Sequence, residues 1–174
     1  MALLPDGALT NVYASLDRYL TEQFVDTGLL TVRFHNQRRF IPPIDDPWTE
    51  WTYNFLGLQR DYLRQIRGFS GGEDIFGVQR RGYLQCDIFQ RTRIFTQRYS
   101  TVRARDVVVN AFPEAGMMGI YDYVNQQPDT DPVKVGLLVF DGVTEHVLTS
   151  TTSGALIQRV LEIATRYIEQ FTRP

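Results

Sequence analysis

The sequence predicts an α+β fold in which helices cover one mixed, mainly antiparallel sheet. Apolar residues recur at helical spacing near both ends of the chain and in its middle, and two-residue alternation fills the segments between. The resulting order of helix, strands, helix, strands, helix is typical of that class. The 174 residues are expected to form a single domain over 1–174, with a helical extension over 153–174.

An amphipathic helix is predicted first, over Leu9–Phe24. Its apolar stripe has helical spacing, Asp6 or Thr10 can cap its start, and Gly28 follows its end. A short strand over 29–34 comes next, and a proline-rich loop over 42–47 follows it.

Two further strands are predicted from alternation. In the segment Trp48–Leu56 the residues Trp51, Tyr53 and Phe55 share one face, and we expect this face to be core rather than a stacking surface for bases or sugars. In the strand 82–89, Leu84, Cys86 and Ile88 are expected to face the core, while Gln85 and Asp87 face water or a neighbouring subunit.

The segment 57–79 is predicted to be one long loop, because it contains five glycines and charges throughout. Leu58, Tyr62 and Ile66 could form a short helical stretch within it. A loop of this length that opens onto Arg80-Arg81-Gly82 and a strand is a common way to present a binding surface, so the sequence favours an interaction protein over an enzyme.

Capping residues, chain-breaking residues and apolar spacing also predict the elements of the second half of the chain. Ser100 is predicted to cap a helix that runs to Phe112, with Pro113 ending it. A strand near Ile120 follows, and Asp141-Gly142 predicts a two-residue hairpin between the strands 133–140 and 143–148. The apolar stripe from Leu156 to Phe171 predicts a final helix, capped by Ser153.

Composition narrows the function classes. No apolar run approaches the roughly 18 residues that span a bilayer, and the N-terminal residues are not expected to form a signal peptide. Cys86 is the single cysteine, so an intramolecular disulfide is impossible, and the position indicates a small buried apolar residue.

Charge is distributed unevenly along the chain. Residues 33–105 carry thirteen Arg against seven acids, whereas both ends are acidic, and seventeen of the eighteen basic residues are Arg. This pattern fits subunits that meet basic surface to acidic surface, although codon bias of the source genome explains the Arg preference equally well. The overall charge of -2 does not suit a nucleic-acid-binding protein.

The catalytic motifs are weak. Ser70 lies in a formal G-x-S-x-G match, and Asp141 and His146 follow in the chain order of a hydrolase triad. The residues before Ser70 are charged rather than a buried strand, so a glycine-rich loop is the preferred interpretation. The two histidines lie far apart, and Asp129-Thr130-Asp131 is too short for a calcium loop, so we expect no catalytic residue, metal or cofactor.

The order of the elements resembles the tail terminator proteins of long-tailed bacteriophages. The resemblance covers roughly residues 8–148 and is carried by pieces in sequence: the helix 9–24, the strand 32–34, Pro42-Pro43, the Pro47-Trp48 strand, the glycine loop 68–77, the strand from Arg80-Arg81-Gly82 to Phe89, and the helix 100–112. The length of the loop 57–79 and the final helix depart from that family.

The resemblance implies a virion structural protein, not an enzyme. It implies a homohexameric ring that caps the tail tube, ends tube polymerisation and offers a docking surface to the neck or head connector. The implied partners are further copies of itself, the tail tube protein, the neck protein and, as a further candidate, the tail sheath. No membrane and no specific nucleic acid is expected beyond the genome passing through the ring.

We expect the protein at the head–tail junction of the virion, after assembly in the host cytoplasm. The expected interface residues are charged or polar and flank the glycine loop: Arg64, Arg67, Glu73, Asp74, Arg80, Arg81, Gln85 and Asp87. Two alternatives stay open: another phage neck or tail-completion protein, and a serine hydrolase that uses Ser70.

Overall fold

The computed structural model describes residues 5–55, 61–67, 74–91, 99–125, 130–148 and 156–172. These residues form two α-helices and seven strands. In chain order the elements are α1 (Pro5–Leu20), a π-helical turn (Thr21–Val25), β1 (Thr31–Arg33), β2 (Trp48–Asn54), β3 (Asp61–Arg67), β4 (Asp74–Arg91), α2 (Ser100–Ala111), β5 (Met117–Tyr121), β6 (Lys134–Leu148) and β7 (Leu156–Thr172).

All seven strands belong to one sheet. Its order is β1-β2-β4-β7-β6-β5, and β3 also pairs with β4. Only the β1–β2 pairing is parallel, so the sheet is mixed and mainly antiparallel. The predicted α+β class with helices against one sheet is therefore confirmed.

Strands β2 and β3 lie end to end along one edge of β4. Asn54 is opposite Tyr83 at the end of β2, and Asp61 is opposite Gln79 at the start of β3. The other edge of β4 pairs with β7 along its whole length. Strand β4 thus extends well past β2, and this extended part pairs with β3.

The first helix and the π-helical turn bury the apolar stripe that predicted them. Val12, Leu16 and Leu20 are fully buried in α1, and Phe24 stacks on Trp51 with ring centroids 6.0 Å apart. Gly28 follows at φ 66°, a left-handed conformation that glycine adopts without strain. The predicted first helix is confirmed, although its last turn is π-helical.

The second helix also covers the core side of the sheet. Thr101, Ala104 and Val108 are its buried residues. Ser100 does not cap this helix as predicted: it is the first helical residue, and its hydroxyl donates a hydrogen bond to Gln90 Oε1. The predicted extent of the helix is confirmed to within one residue.

The alternation predicted for the strands is present. Leu84, Cys86 and Ile88 are fully buried, and Trp51, Tyr53 and Phe55 pack in the same core. Burial, and then the neighbouring Asp87 carboxylate, raises the pKa of the Cys86 thiol well above its usual range. Cys86 is therefore the small buried residue that the sequence predicts.

The prediction of a single loop over 57–79 is wrong. Asp61–Arg67 and Asp74–Gln79 form two antiparallel strands with Arg67 opposite Asp74, and Tyr62 and Ile66 lie on β3 rather than on a helical stretch. Residues 57–60 and 68–73 lie outside the described residues, and with them the predicted loop helix residue Leu58. The glycines and charges that indicated a loop belong in part to a β-hairpin.

The predicted C-terminal helix is also wrong. Residues 156–172 form β7, a central strand of 17 residues between β4 and β6. Leu161, Ile163, Thr165 and Tyr167 are buried, whereas Glu162, Ala164 and Arg166 alternate with them on the other face. Pairing with β4 over its whole length, and with β6 from Gln158 to Glu169, outweighs the helical spacing of the apolar residues.

Asp141-Gly142 forms a bulge and not a hairpin turn. Strand β6 continues through it, and the register with β7 shifts between Phe140 and Gly142. Gly142 has φ 136°, which glycine adopts more readily than other residues. The residue pair that predicted a reversal therefore bends one strand, because β7 continues alongside both halves of β6.

None of the helices in the described ranges is long and apolar enough to cross a membrane.

Candidate interaction surface

The side of the sheet opposite the two helices is the principal candidate surface, here called the helix-free face. It is built by the alternate residues of β2, β4, β7 and β6 that point away from the core. Cross-strand pairing aligns Glu50 with Asp87, and Gln85 with Glu162, which is opposite Thr144. Two of the predicted interface residues, Gln85 and Asp87, lie near the centre of this face.

The Asp87 carboxylate is held by two side-chain amides. The side-chain amides of Gln85 and Gln158 donate hydrogen bonds to its two oxygens at 2.9 and 3.1 Å. Glu50, directly opposite, is bound by Arg33 at 2.8 Å and by the Trp48 indole N–H at 3.1 Å. These contacts fix the two carboxylates in place on the sheet.

Aromatic groups flank these acids. Trp48 stacks on Phe89 with ring centroids 5.5 Å apart, and the two residues are cross-strand partners. Tyr83, at the other end of the face, is 38% exposed. An aromatic and polar mixture of this kind is typical of surfaces that bind other proteins.

A second charged group lies where β6 bulges. The Arg166 guanidinium contacts both oxygens of Asp141 at 2.7 Å, and this hydrogen-bonded pairing raises the pKa of Arg166. Arg81, another predicted interface residue, is exposed and lies opposite Arg166 across β4 and β7. Arg166 is absent from the predicted interface set because its segment was predicted to be a helix.

Four other predicted interface residues lie on the β3–β4 hairpin, here called the arm. Arg64 and Arg67 are on β3, and Asp74 and Arg80 are on β4. Glu73 lies outside the described residues. The structure therefore divides the predicted set between the arm and the helix-free face, and Arg81 stands at the junction of the two.

Strand β4 is too long to fit within a compact body. Its 18 residues span roughly 60 Å at about 3.3 Å per residue. A compact chain of this length has a radius of gyration of about 16 Å, which corresponds to a diameter of about 40 Å. The arm therefore reaches beyond the body that the helices cover.

A groove of about 400 Å³ lies between α1 and β5. Arg18 and Glu22 form an ion pair of 2.8 Å on its helical wall, and Tyr121 and Tyr123 line the opposite side. A hydrogen bond that Arg18 donates to Glu22, and then its hydrogen bond with Tyr123, raise the pKa of the exposed Arg18 guanidinium. Arg18, Glu22 and Tyr123 are thus paired with one another on the walls of this groove.

Asp17, Tyr53 and His35 form a partly buried cluster between α1 and β2. The Tyr53 hydroxyl donates to Asp17 Oδ1 at 2.6 Å, and the Tyr53 backbone N–H donates to His35 Nδ1 at 3.2 Å. Burial raises the pKa of Asp17, and the Tyr53 hydrogen bond and the His35 charge reduce that rise. Burial, then Asp17, raises the pKa of Tyr53, so the phenol keeps its proton and serves as a donor.

The remaining catalytic hypotheses find no assembled site in the described part of the chain. Ser70 lies outside the described residues, and the other triad candidates have partners elsewhere: Asp141 with Arg166, and His146 with Glu162 at 4.0 Å. Among the described residues no group of three His, Cys, Asp or Glu side chains could hold a metal ion.

No family model and no curated protein matches the sequence. The chain is similar to a solved protein structure whose name states no function, with a TM-score of 0.51 and 14% sequence identity. The match covers 95% of this chain and 98% of that one. At this identity the likeness concerns the fold, over nearly the whole of both chains.

Proposed function

We propose that this protein is a virion structural component that forms a ring on the end of a phage tail tube. The ring stops further polymerisation of the tube and offers a docking surface to the head connector. Its partners in this role are further copies of itself, the tail tube protein and the neck protein.

The observation that carries the proposal is the long-stranded sheet, on one face of which the helices of the described ranges lie. Strands β4, β7 and β6 are 18, 17 and 15 residues long, whereas surveyed strands usually have 3–10 residues. Such strands leave one sheet face and the arm for contact with other molecules. A ring subunit needs extended surfaces on several sides, because each copy contacts two neighbours as well as the tube.

The arrangement of elements is a second support. The helix, short strand, aromatic strand, Arg80-Arg81-Gly82 strand and second helix that carry the sequence resemblance all occur as elements of the sheet and its helical cover. Gln85 and Asp87 lie on the helix-free face, and Arg81 borders the arm. Three of the expected interface residues thus lie outside the buried core, which supports the proposal.

Tail length in particles tests the proposal. Deletion of the gene from its native genome is expected to produce tubes of unregulated length without attached heads, because nothing ends polymerisation. Electron microscopy measures the tail lengths, and complementation with the wild-type gene should restore them. Complementation with the core variant Gly82→Val serves as the control for loss of the folded protein.

Two results would contradict the proposal. Tails of normal length with heads attached after the deletion would exclude a terminator. Normal tails that lack heads would instead favour the alternative neck or tail-completion role, since connection fails while length control persists.

A further inference from the structure

We propose that copies of this chain join edge to edge, with β3 of one copy pairing with the Val143–Leu148 half of β6 in the next. The inference rests on the proposed ring and names the strands that would build it. It starts from two strand edges that have no described strand beside them.

The first of these edges belongs to β3. Strand β3 pairs with β4 alone, so its other edge faces away from the sheet. The second edge belongs to β6: β5 pairs with it from Lys134 to Val139, and Phe140 exchanges backbone hydrogen bonds with Gly116 and Ala115. Beyond the bulge, in the described ranges, Val143–Leu148 pairs only with β7.

Side chains cover part of the two outermost edges of the main sheet. On β2, past the residues that pair with β1, the Tyr53 backbone N–H donates a hydrogen bond to the His35 ring. The Tyr121 N–H at the end of β5 is taken up by the Ser15 hydroxyl of α1. Strand β1 itself is only three residues long. Short edge strands and covering side chains discourage added strands, whereas β3 and the second half of β6 offer seven and six residues of edge.

Strand direction suits the proposed pair. Strand β3 is antiparallel to β4, β4 to β7, and β7 to β6, so β3 and β6 run in opposite directions. Two copies placed side by side in the same orientation would therefore bring β3 and β6 together as an antiparallel pair. Backbone hydrogen bonds of this kind are a common mode of recognition between chains.

The two open edges lie at different levels along the strand direction, so the proposed contact is head-to-tail. Strand β3 lies level with Asp74–Gln79 of β4, whereas Val143–Leu148 lies, through β7, level with Leu84–Phe89. These levels differ by about ten residues, or roughly 33 Å. Neighbouring copies must be staggered by that distance, and the two contacting surfaces are different. Such heterologous contacts generate a closed ring or an open helix.

Proline substitution at each edge tests the pairing, because proline removes an N–H donor. In β3 the register shifts between Leu63 and Ile66, so Gln65→Pro falls where pairing with β4 is already interrupted. In β6 the substitution is Thr144→Pro, with Val143→Pro as the alternative. Backbone N–H groups alternate in direction along an edge strand, so one of these two variants loses the outward donor. Ile41→Pro, on a connecting segment at a residue 92% exposed, is the control.

Light scattering on purified proteins gives the mass. The wild-type protein and Ile41→Pro are expected to form oligomers. Gln65→Pro and the β6 variant that loses its outward donor are each expected to be monomers with a cooperative thermal transition. An equal mixture of these two monomeric variants should form heterodimers, since one intact β3 edge and one intact β6 edge remain. The wild-type mass in folded Gln65→Pro or in both folded β6 variants, a mixture that stays monomeric, or a monomeric wild-type protein would each overturn the inference.

Cysteine cross-linking covers the case in which the proline variants do not fold. In a Cys86→Ser background, Gln65→Cys combined with Thr144→Cys or His146→Cys is expected to give a ladder of disulfide-linked oligomers, while each single variant stays unlinked. Unlinked double variants in protein that has the oligomeric mass would refute the β3–β6 contact.

The tail-length assay separates this inference from the proposed function. Wild-type protein that pairs through these edges but fails to restore tail length supports the inference and refutes the function. Edge variants that restore normal tails support the function and refute the inference.

Discussion

The aromatic ring of Phe55 packs directly over the α-carbon of Gly82. A Cβ atom at position 82 would lie 2.5 Å from Phe55 Cδ1 and 2.7 Å from the Asn54 backbone oxygen. Phe55 is 2% exposed and directly follows the last residue of β2. The glycine of the Arg80-Arg81-Gly82 motif therefore permits the close approach of this ring at the junction of body and arm.

Replacement of Gly82 by alanine should destabilise the protein by about 1–3 kcal/mol, because a backbone oxygen and a buried ring must both move. That loss corresponds to a fall in melting temperature of roughly 2–4 °C per kcal/mol for a chain of this size. Gly119→Ala is the matched control: its Cβ would meet the Tyr121 ring at 2.9 Å, and this ring is 36% exposed and can turn aside. Equal losses in the two variants would contradict the role assigned to Phe55.

Asn11 is expected to be the most sensitive polar residue of α1. Its side chain is 1% exposed, donates to Asp122 Oδ1 at 3.0 Å, and accepts from the backbone N–H groups of Tyr123 and Val124. Asn11→Ala would leave these groups without a partner and should cost about 2–4 kcal/mol in the free energy of unfolding. Asn125→Ala removes one exposed hydrogen bond to the same Asp122, from the Asn125 amide to Oδ2, and should cost less than about 1 kcal/mol.

Asp17 should make stability depend on pH. Burial holds the pKa of its folded-state carboxyl above the ordinary value of 3.8, so folding favours its protonated form. Its stabilising contribution is complete below pH 3.8 and is lost as pH rises through the folded-state pKa. Asp17→Asn, which can still accept from Tyr53, should therefore gain stability relative to wild type over that rise and stay constant above it. Chemical denaturation at a series of pH values checks this, and a difference that falls with pH would contradict it.

The Tyr53 hydroxyl should contribute measurably to the packing of α1 on β2. Tyr53→Phe removes the donor of the 2.6 Å bond to Asp17 and should lower the free energy of unfolding by about 1–2 kcal/mol. Tyr99→Phe, at a side chain 72% exposed, should leave it unchanged. A Tyr53→Phe protein as stable as wild type would show that water replaces the bond.

Cys86 should resist thiol reagents in the native protein. It is fully buried with a raised pKa, and the thiolate is the reactive form. Labelling by a chromogenic disulfide reagent is expected to be slow in buffer and complete in denaturant. The variant Tyr99→Cys, with an exposed thiol, should add one rapidly labelled group. Rapid labelling of two groups in that native variant would contradict the burial of Cys86.

Local patterns in the sequence determined the two helices of the first two thirds of the chain and the strands β1, β2 and β5, together with the inward face of β4 from Leu84 to Ile88. In these segments the period of the apolar residues agrees with the structure, so local preference and tertiary packing favour the same element. Trp51, Tyr53 and Cys86 could be placed in the core for the same reason. Gln85 and Asp87 could likewise be placed on an outward face.

Only the tertiary structure decided the conformation of residues 61–67, 74–79, 141–142 and 156–172. In the last segment the apolar residues fit a helix, but Leu161, Ile163, Thr165 and Tyr167 also alternate, and unpaired edges of β4 and β6 on both sides make the strand the better solution. The same β7 pairs with β6 on both sides of Asp141-Gly142, so β6 continues past this pair instead of reversing. Pairing between distant strands is not encoded within a local window, so the arm, the Arg166–Asp141 pair and the two open edges emerge only when the sheet is assembled.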